Sequence, residues 1–452
     1  MNIIVVGDGK VGLAIIAQLS REGHDLTVID SNPNVLENSV EQCDVMVIRG
    51  NGASLSVLRE AGADNADLLI AATSTDEVNI LTCILARRLG TRHTIARVRN
   101  PEYAEQLHFL REELGLSMTV NPELDAATEA YRILQFPSFL RRETFAKGRV
   151  DLVELRVGAD SSLKDISLNQ LHKAAPVKAL VCAVERGGEV FIPGGEFTLR
   201  EWDKVYVTAA SADLPRLING LGLDNHKVRS CMIIGGSRIA YYLATMLLKS
   251  GVSVKIVESD AARCDELSDL LPNAIIIHGD GNRQRLLLEE GLKETDSLVT
   301  LTGMDEQNIF LSLYANHEGV RKVITKVSQN EYYNTIQEMG IGSIICPKAL
   351  SATRVTRYVR AMANAIGGSV IAMTELADGR VEALEFLATN KTLHLNKPLT
   401  EAPIKPNFLI ACIIRGGKTV IPQGSDCIKE GDGVIVIASG ELAATDLNDI
   451  FE

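Results

Sequence analysis

Three glycines near the start of the chain, Gly7, Gly9 and Gly12 in "VVGDGKVG", stand 23 residues (30 − 7) ahead of a carboxylate, Asp30 in "VID". That spacing points to dinucleotide chemistry. Gly7 permits a tight turn, Gly9 lets the backbone approach a pyrophosphate, and Gly12 lets the following helix pack on the strand. A helix opening at such a turn offers free N–H groups and the positive end of its dipole to phosphate. Asp30, at the carboxyl end of the second apolar run, can accept both hydroxyls of an adenosine ribose. Ser31 follows it where an arginine would favour a 2′-phosphate, so NAD(H) is expected over NADP(H). A glycine turn with no ligand is the alternative; the strand before the turn, the helix after it and the distance to the acid favour a nucleotide.

Further stretches after the carboxyl ends of strands should line the same crevice. "GNGA" (Gly50–Ala53, containing Asn51 and Gly52) is expected to border the adenine, and "ATSTDE" to bring Thr73 and Ser74 near the ribose and phosphates. Asp76, at a helix start, suits a cap better than a ligand. Arg97 ends the fifth apolar run, where a cation either reaches a phosphate or forms a surface ion pair; Lys326 is its repeat counterpart.

The elements that must hold these residues read as alternating strand and helix. Apolar runs at Ile3–Val6, Leu26–Ile29, Val45–Ile48, Leu68–Ala72, Thr94–Val98 and Met118–Val120 are separated by segments of helical spacing. Buried strands with helical crossovers imply an α/β fold, a Rossmann-like doubly wound parallel sheet. The chain then repeats itself. Gly7 falls on Gly235 and Asp30 on Glu258, at an offset of 228 (235 − 7, 258 − 30). Gly50 falls on Gly279, Asp76 on Asp305 and Asn79 on Asn308, at an offset of 229 (279 − 50, 305 − 76, 308 − 79). In the second copy Ser237 replaces the middle glycine and Ala240 the last, while Arg238 aligns with Lys10, Glu258 keeps the ribose clamp and Asp280 stands in the "GDG" loop. A Cβ at Ser237 crowds a pyrophosphate, although its hydroxyl can donate to one; the second crevice reads as altered, taking NAD(H), ATP or ADP.

A smaller β-rich unit also recurs, with Arg186-Gly187-Gly188 matching Arg415-Gly416-Gly417 and Ile192-Pro193 matching Ile421-Pro422. The organisation is therefore two tandem units: a Rossmann-like lobe over 1–122, a crossover helix over 123–140 and a small α+β lobe over 141–222, then 228–347, 348–365 and 368–452. The helix in "PELDAATEAYRILQFP", ending before Pro137, has its partner in "PKALSATRVTRYVRAM". Its apolar positions Leu124, Ala127, Ala130, Ile133 and Leu134 recur at helical spacing and should form a buried seam, either between subunits or on their own domain.

Composition excludes several classes. A formal charge of −12 disfavours nucleic acid, and no uncharged apolar run approaches the length of a membrane span. The N-terminus enters a strand directly, without the features of a leader. Eight cysteines without metal-ligand spacing read as buried free thiols of a reducing cytoplasm. No catalyst stands out. The histidines, among them His172 and His394, share no repeat-equivalent position, Cys182 and Cys412 lie at different distances from their RGG turns, and no hydrolase or P-loop motif is present. The chain therefore reads as a sensor with no catalytic residues, ahead of an NAD-dependent dehydrogenase of unfamiliar type or a nucleotide-binding scaffold.

The marks "VVGDGKVG…VID", "GNGAS", "AATSTDEVN", "ARVRNPEYAEQL", "VNPELDAA" and the two "RGG…IP" modules resemble the regulator-of-potassium-conductance (RCK, or KTN) domain family over essentially the whole chain. The resemblance implies a protein that is not an enzyme. It implies binding of NAD(H) and adenine nucleotides, and a ring commonly holding eight domain copies, hence a homotetramer here. It also implies control of a membrane potassium-translocating subunit of the Trk type from the cytoplasmic face of the inner membrane. By position, nucleotide contacts would come from Gly7, Asp8, Gly9, Lys10, Val11, Asp30, Thr73, Ser74 and Val98, with Arg97 or Arg99 joining them.

Overall fold

The computed structural model describes residues 1–103, 106, 113–136, 139–146, 148–158, 161–174, 177–221, 227–328, 341–365, 370–377, 380–439, 444 and 446–452. Pro137 and the stretch 104–105 within the "ARVRNPEYAEQL" motif lie outside the described residues, as does the side chain of His172.

The first lobe runs β1 (Asn2–Val6), α1 (Lys10–Arg21), β2 (Asp25–Asp30), α2 (Pro33–Gln42), β3 (Met46–Arg49), α3 (Leu55–Glu60), β4 (Leu68–Ala71), α4 (Asp76–Leu89), β5 (His93–Arg97) and β6 (Met118–Val120), and leads into the crossover helix α5 (Pro122–Gln135). Its six strands pair in parallel in the order β3-β2-β1-β4-β5-β6. This is the doubly wound order whose strand sequence reverses beside β1, and crevices for ligands open at such a reversal. Helices cover both faces, so the central strands are apolar throughout. Ile3, Val5, Ile70 and Ile95 enter one core, and Ile4, Val6, Leu69 and Ala96 the other.

The second copy follows the same plan: β7 (Ser230–Ile234), α6 (Arg238–Lys249), β8 (Ser253–Glu258), α7 (Ala261–Leu270), β9 (Ile275–His278), α8 (Gln284–Glu289), β10 (Ser297–Thr300), α9 (Asp305–His317), β11 (Lys322–Lys326), β12 (Ser343–Ile345) and the crossover helix α10 (Pro347–Ala365). Its sheet order is β9-β8-β7-β10-β11-β12. Each crossover helix is followed by a five-stranded antiparallel sheet. In both sheets a glycine pair closes the hairpin, Gly187-Gly188 at φ 59° and 85° and Gly416-Gly417 at φ 54° and 79°; two consecutive positive φ values are what a type I′ turn requires.

The crossover helices are exchanged between the halves. Ala126, Ala127, Ala130, Ile133 and Leu134 of α5 lie in one core with Ile239, Leu243 and Leu247 of α6 and the β7–β8 face. Reciprocally, Ala352, Val355 and Val359 of α10 complete the core formed by α1, β1 and β2. Small residues on α5 allow the close approach, and burying Ile133 and Leu134 each contributes roughly 1.5–3 kcal/mol. Polar contacts lock the arrangement. Arg360 pairs with Glu22 at 2.6 Å, the Tyr358 hydroxyl meets His93 Nδ1 at 3.2 Å, and Asn121 donates to the Tyr242 hydroxyl at 3.1 Å. Lys322 and Ser343 of the second half donate to the carbonyls of Phe139 and Leu140, just beyond α5. The small lobes share a core as well, with Phe145, Leu152 and Cys182 packed against Leu376, Ile414 and Ile435. Thus the apolar face of α5 is covered by the other half of its own chain.

Candidate nucleotide-binding sites

The glycine turn between β1 and α1 is built by close approach. Gly7 has φ 94°, its N–H donates to Ile29 at 2.8 Å, and a Cβ there would lie 2.6 Å from the Thr73 nitrogen. A Cβ at Gly12 would lie 1.9 Å from the Gly7 carbonyl oxygen, so this glycine packs the helix on the turn itself and not, as expected, on the strand. Gly9 differs from both: a Cβ there would meet nothing within 4 Å, and as the residue before α1 it brings no capping side chain. The N-terminus of α1 is therefore open toward the crevice. Lys10 is exposed at its first position, whereas the Val11 side chain is core, leaving that residue its backbone N–H for a ligand.

Asp30 closes the turn from β2. Its two carboxylate oxygens accept the N–H groups of Asp8 and Asn32, each at 2.8 Å. Asp8 is buried beside it. Ser39 of α2 donates to Asp8 Oδ2 at 2.6 Å, while Oδ1 has no partner among the described residues. Burial pushes this carboxyl up to about 6, against the Ser39 hydrogen bond and with the neighbouring charge of Asp30 adding to the rise.

The far wall is held by Asn79, whose repeat identity with Asn308 was visible in the sequence while its role was not. Asn79 Oδ1 accepts from the Thr73 N–H at 2.8 Å and from the Thr73 hydroxyl at 2.7 Å, and its Nδ2 donates to the Arg97 carbonyl at 2.9 Å. Thr302, Asn308 and Lys326 repeat the staple. Asp76 stands one residue inside the cap of α4, which is Thr75, and its Oδ2 accepts the N–H groups of Arg99 and Asn100, each at 2.8 Å. Ser74 is exposed and its carbonyl accepts from Arg99. Val98 is core, and its N–H is bonded to Val120. Asn51 and Asp280 each accept from a backbone N–H two residues on, and Gly52 lets its loop press against Val6, where a Cβ would come within 2.0 Å.

A cation of each half lies within electrostatic range of the other half's turn, Arg97 of Arg238 and Lys326 of Lys10. Arg97 keeps a partnerless Nε and lies 3.9 Å from Glu123. Burial lowers its pKa; Glu123 and Asp76 oppose the shift, and the positive charges of Arg99 and Arg238 reinforce it. Lys326 donates to Thr302 at 2.7 Å and is lowered by burial, opposed by Asp305 and reinforced by Lys10 across the halves.

The second turn keeps Gly235 at φ 97° but is closed differently. The Ser237 hydroxyl accepts from the Ala240 N–H at 3.4 Å and caps α6. Glu258 accepts from Gly236 at 2.6 Å and from Asp260 at 2.8 Å. Burial works to raise this carboxyl, but those N–H groups and the Ser259 hydroxyl outweigh it and hold it below the ordinary glutamate value. Arg263 of α7, unmarked by any motif, donates to the Gly236 carbonyl at 2.6 Å. Among the described residues no three His, Cys, Asp or Glu side chains are grouped to hold a metal.

The TrkA-N domain family matches residues 3–122 and 231–347, and the TrkA-C domain family matches 152–222. The "Trk system potassium uptake protein TrkA homolog" of Archaeoglobus fulgidus is 30% identical over 97% of this chain and 97% of its own. The "Trk system potassium uptake protein TrkA" of Halomonas elongata is 30% identical over 100% of this chain and 99% of its own. Among solved structures, "GsuK channel bound to NAD" superposes with TM-score 0.63 at 18% identity, over 97% of this chain and 77% of that one, a likeness of fold.

Proposed function

Because the chain belongs to the TrkA family of Trk system potassium uptake proteins, we propose that it is a regulatory subunit that binds NAD(H) and adenine nucleotides and controls a membrane potassium-translocating subunit of the Trk type. The observation that carries this reading is the open N-terminus of α1 at Gly9, flanked by Asp30. NAD(H) fits there: its pyrophosphate would take the free N–H groups of α1, and its adenosine ribose the Asp30 carboxylate. The second crevice, with its capped helix, takes NAD(H), ATP or ADP. A solved structure of similar fold is the "Crystal structure of the GsuK bound to ADP".

A ligand shifts a conformational equilibrium only through differential affinity for its states. A nucleotide bound at Gly9 would touch one half through the turn and feel the charge of Lys326 from the other, so its grip depends on how the halves are set. Four chains, each supplying two domain copies, would form the ring and carry that setting to a partner at the cytoplasmic face of the inner membrane. Among the described residues no helix is long and apolar enough to cross a membrane.

The test is calorimetric titration of the full chain with NADH, beside potassium uptake in cells carrying the same variants. Asp30→Ala removes two hydrogen bonds to a charged acceptor, roughly 1.5–3 kcal/mol each, and should weaken first-site binding at least tenfold. Affinity unchanged by Asp30→Ala would sink the assignment.

A further inference from the structure

The two crevices differ as a set of exchanged residues, and the exchange changes their charge. In the first, Asp8 is 1% exposed, its Oδ1 lacks a partner among the described residues, Ser39 holds its Oδ2, and its N–H joins it to Asp30. Two carboxyl groups thus share the wall beside Gly9, where phosphate would approach. In the second, the same three positions carry Gly236, Leu267 and Glu258, at the offset of 228 (236 − 8, 267 − 39, 258 − 30). The space is filled by other side chains: a Cβ at Gly236 would lie 2.7 Å from Leu267 Cδ1 and 3.0 Å from Glu258 Oε2. At the position of Val35 the second half instead has Arg263 (263 − 228), with its guanidinium on the Gly236 carbonyl. Glu266 pairs with Arg263 at 2.6 Å, but it is more than half exposed, and water and salt screen its charge.

We propose that Asp8 and Arg263 are the specificity-determining residues of the two crevices: Asp8 makes the first select the less charged dinucleotide NAD(H), and Arg263 makes the second select adenosine di- and triphosphates. The proposal rests on the reading of both crevices as nucleotide sites. NAD(H) carries the charges of its pyrophosphate alone, whereas ADP and ATP end in a terminal phosphate with additional charge. Two acids in the first wall penalise each further negative charge on the ligand. An acid balanced by an arginine in the second does not.

The experiment uses the full-length chain with one crevice silenced at a time, titrated calorimetrically with NADH and with ATP. With the second crevice silenced by Glu258→Ala, Asp8→Gly should raise ATP affinity about tenfold while NADH affinity moves less than about threefold. Asp8→Asn, which keeps the Ser39 acceptor and removes only the charge, should do the same and separates charge from any change in the turn. With the first crevice silenced by Asp30→Ala, Arg263→Val should lower ATP affinity about tenfold more than NADH affinity. Wild-type binding of both nucleotides, with ATP-to-NADH ratios that none of these substitutions moves beyond about twofold, would overturn the proposal and leave the nucleotide sites standing. Failure of the unmodified chain to bind either nucleotide would overturn the sites themselves, and this proposal with them.

Discussion

A carboxyl buried beside another carboxyl gives up its proton late, and Asp8 is so placed. Asp30 faces it from β2, and Ser39 and Cys43 face it from α2 and that helix's end. Because its folded-state value is raised from 3.8 to about 6, ionising it weakens the fold. Its contribution to stability is fully present below about 3.8 and is lost as pH rises through about 6. Asp8→Asn should therefore melt above the wild type at pH about 8, by the equivalent of on the order of 1–3 kcal/mol, and the two should converge at pH about 4. Identical melting at both pH values would show that Asp8 carries no such penalty. At this scale the tight turn at Gly7 was legible in the sequence because turn chemistry is local. The Asp8–Ser39 bond was not, since it joins residues 31 apart and Ser39 resembles any serine on a helix surface.

The two fingerprint helices differ at their first turn. The N-terminus of α1 is open at Gly9, while α6 is capped by Ser237. Ser237→Gly removes that cap, costing a few tenths of a kcal/mol in helix stability, and frees the Ala240 N–H for phosphate. NADH affinity of the second crevice should rise, measured in an Asp30→Ala background so that only this crevice reports. A fall or no change would mean that the cap is not the obstacle. The crossover helices were legible in part: periodicity shows that a face of α5 is buried but not what buries it. The partner, α6, lies in the other half of the chain. Enlarging the fully buried Ala130 to Leu should overpack this contact and lower stability by about 1–3 kcal/mol, read as a lower melting temperature.

At the scale of the whole molecule, the exchanged helices decide which experiments are clean. A single half expressed alone would expose the faces of α5 or α10 that the other half covers, so binding is best measured on the full chain. Since the α5 seam is used within the chain, contacts between chains must come from other surfaces. Mass measurement in solution should give the homotetramer, or a dimer that tetramerises on its membrane partner. A strict monomer, together with unimpaired potassium uptake in cells lacking the protein, would defeat the ring.

Where α5 and α10 meet, Arg354 reaches Asp125. The position on α5 corresponding to Arg354 is Glu129, counting from Pro347 over Pro122 (354 − 225). Two identical copies of the first half would thus set Asp125 against Glu129, acid facing acid. In a symmetric pair any substitution at this contact is written on both sides at once, so neither contact can change without the other. Joining the two copies in one reading frame lets each side mutate alone. The same freedom allows one turn to keep its glycines while its twin takes a serine and an arginine.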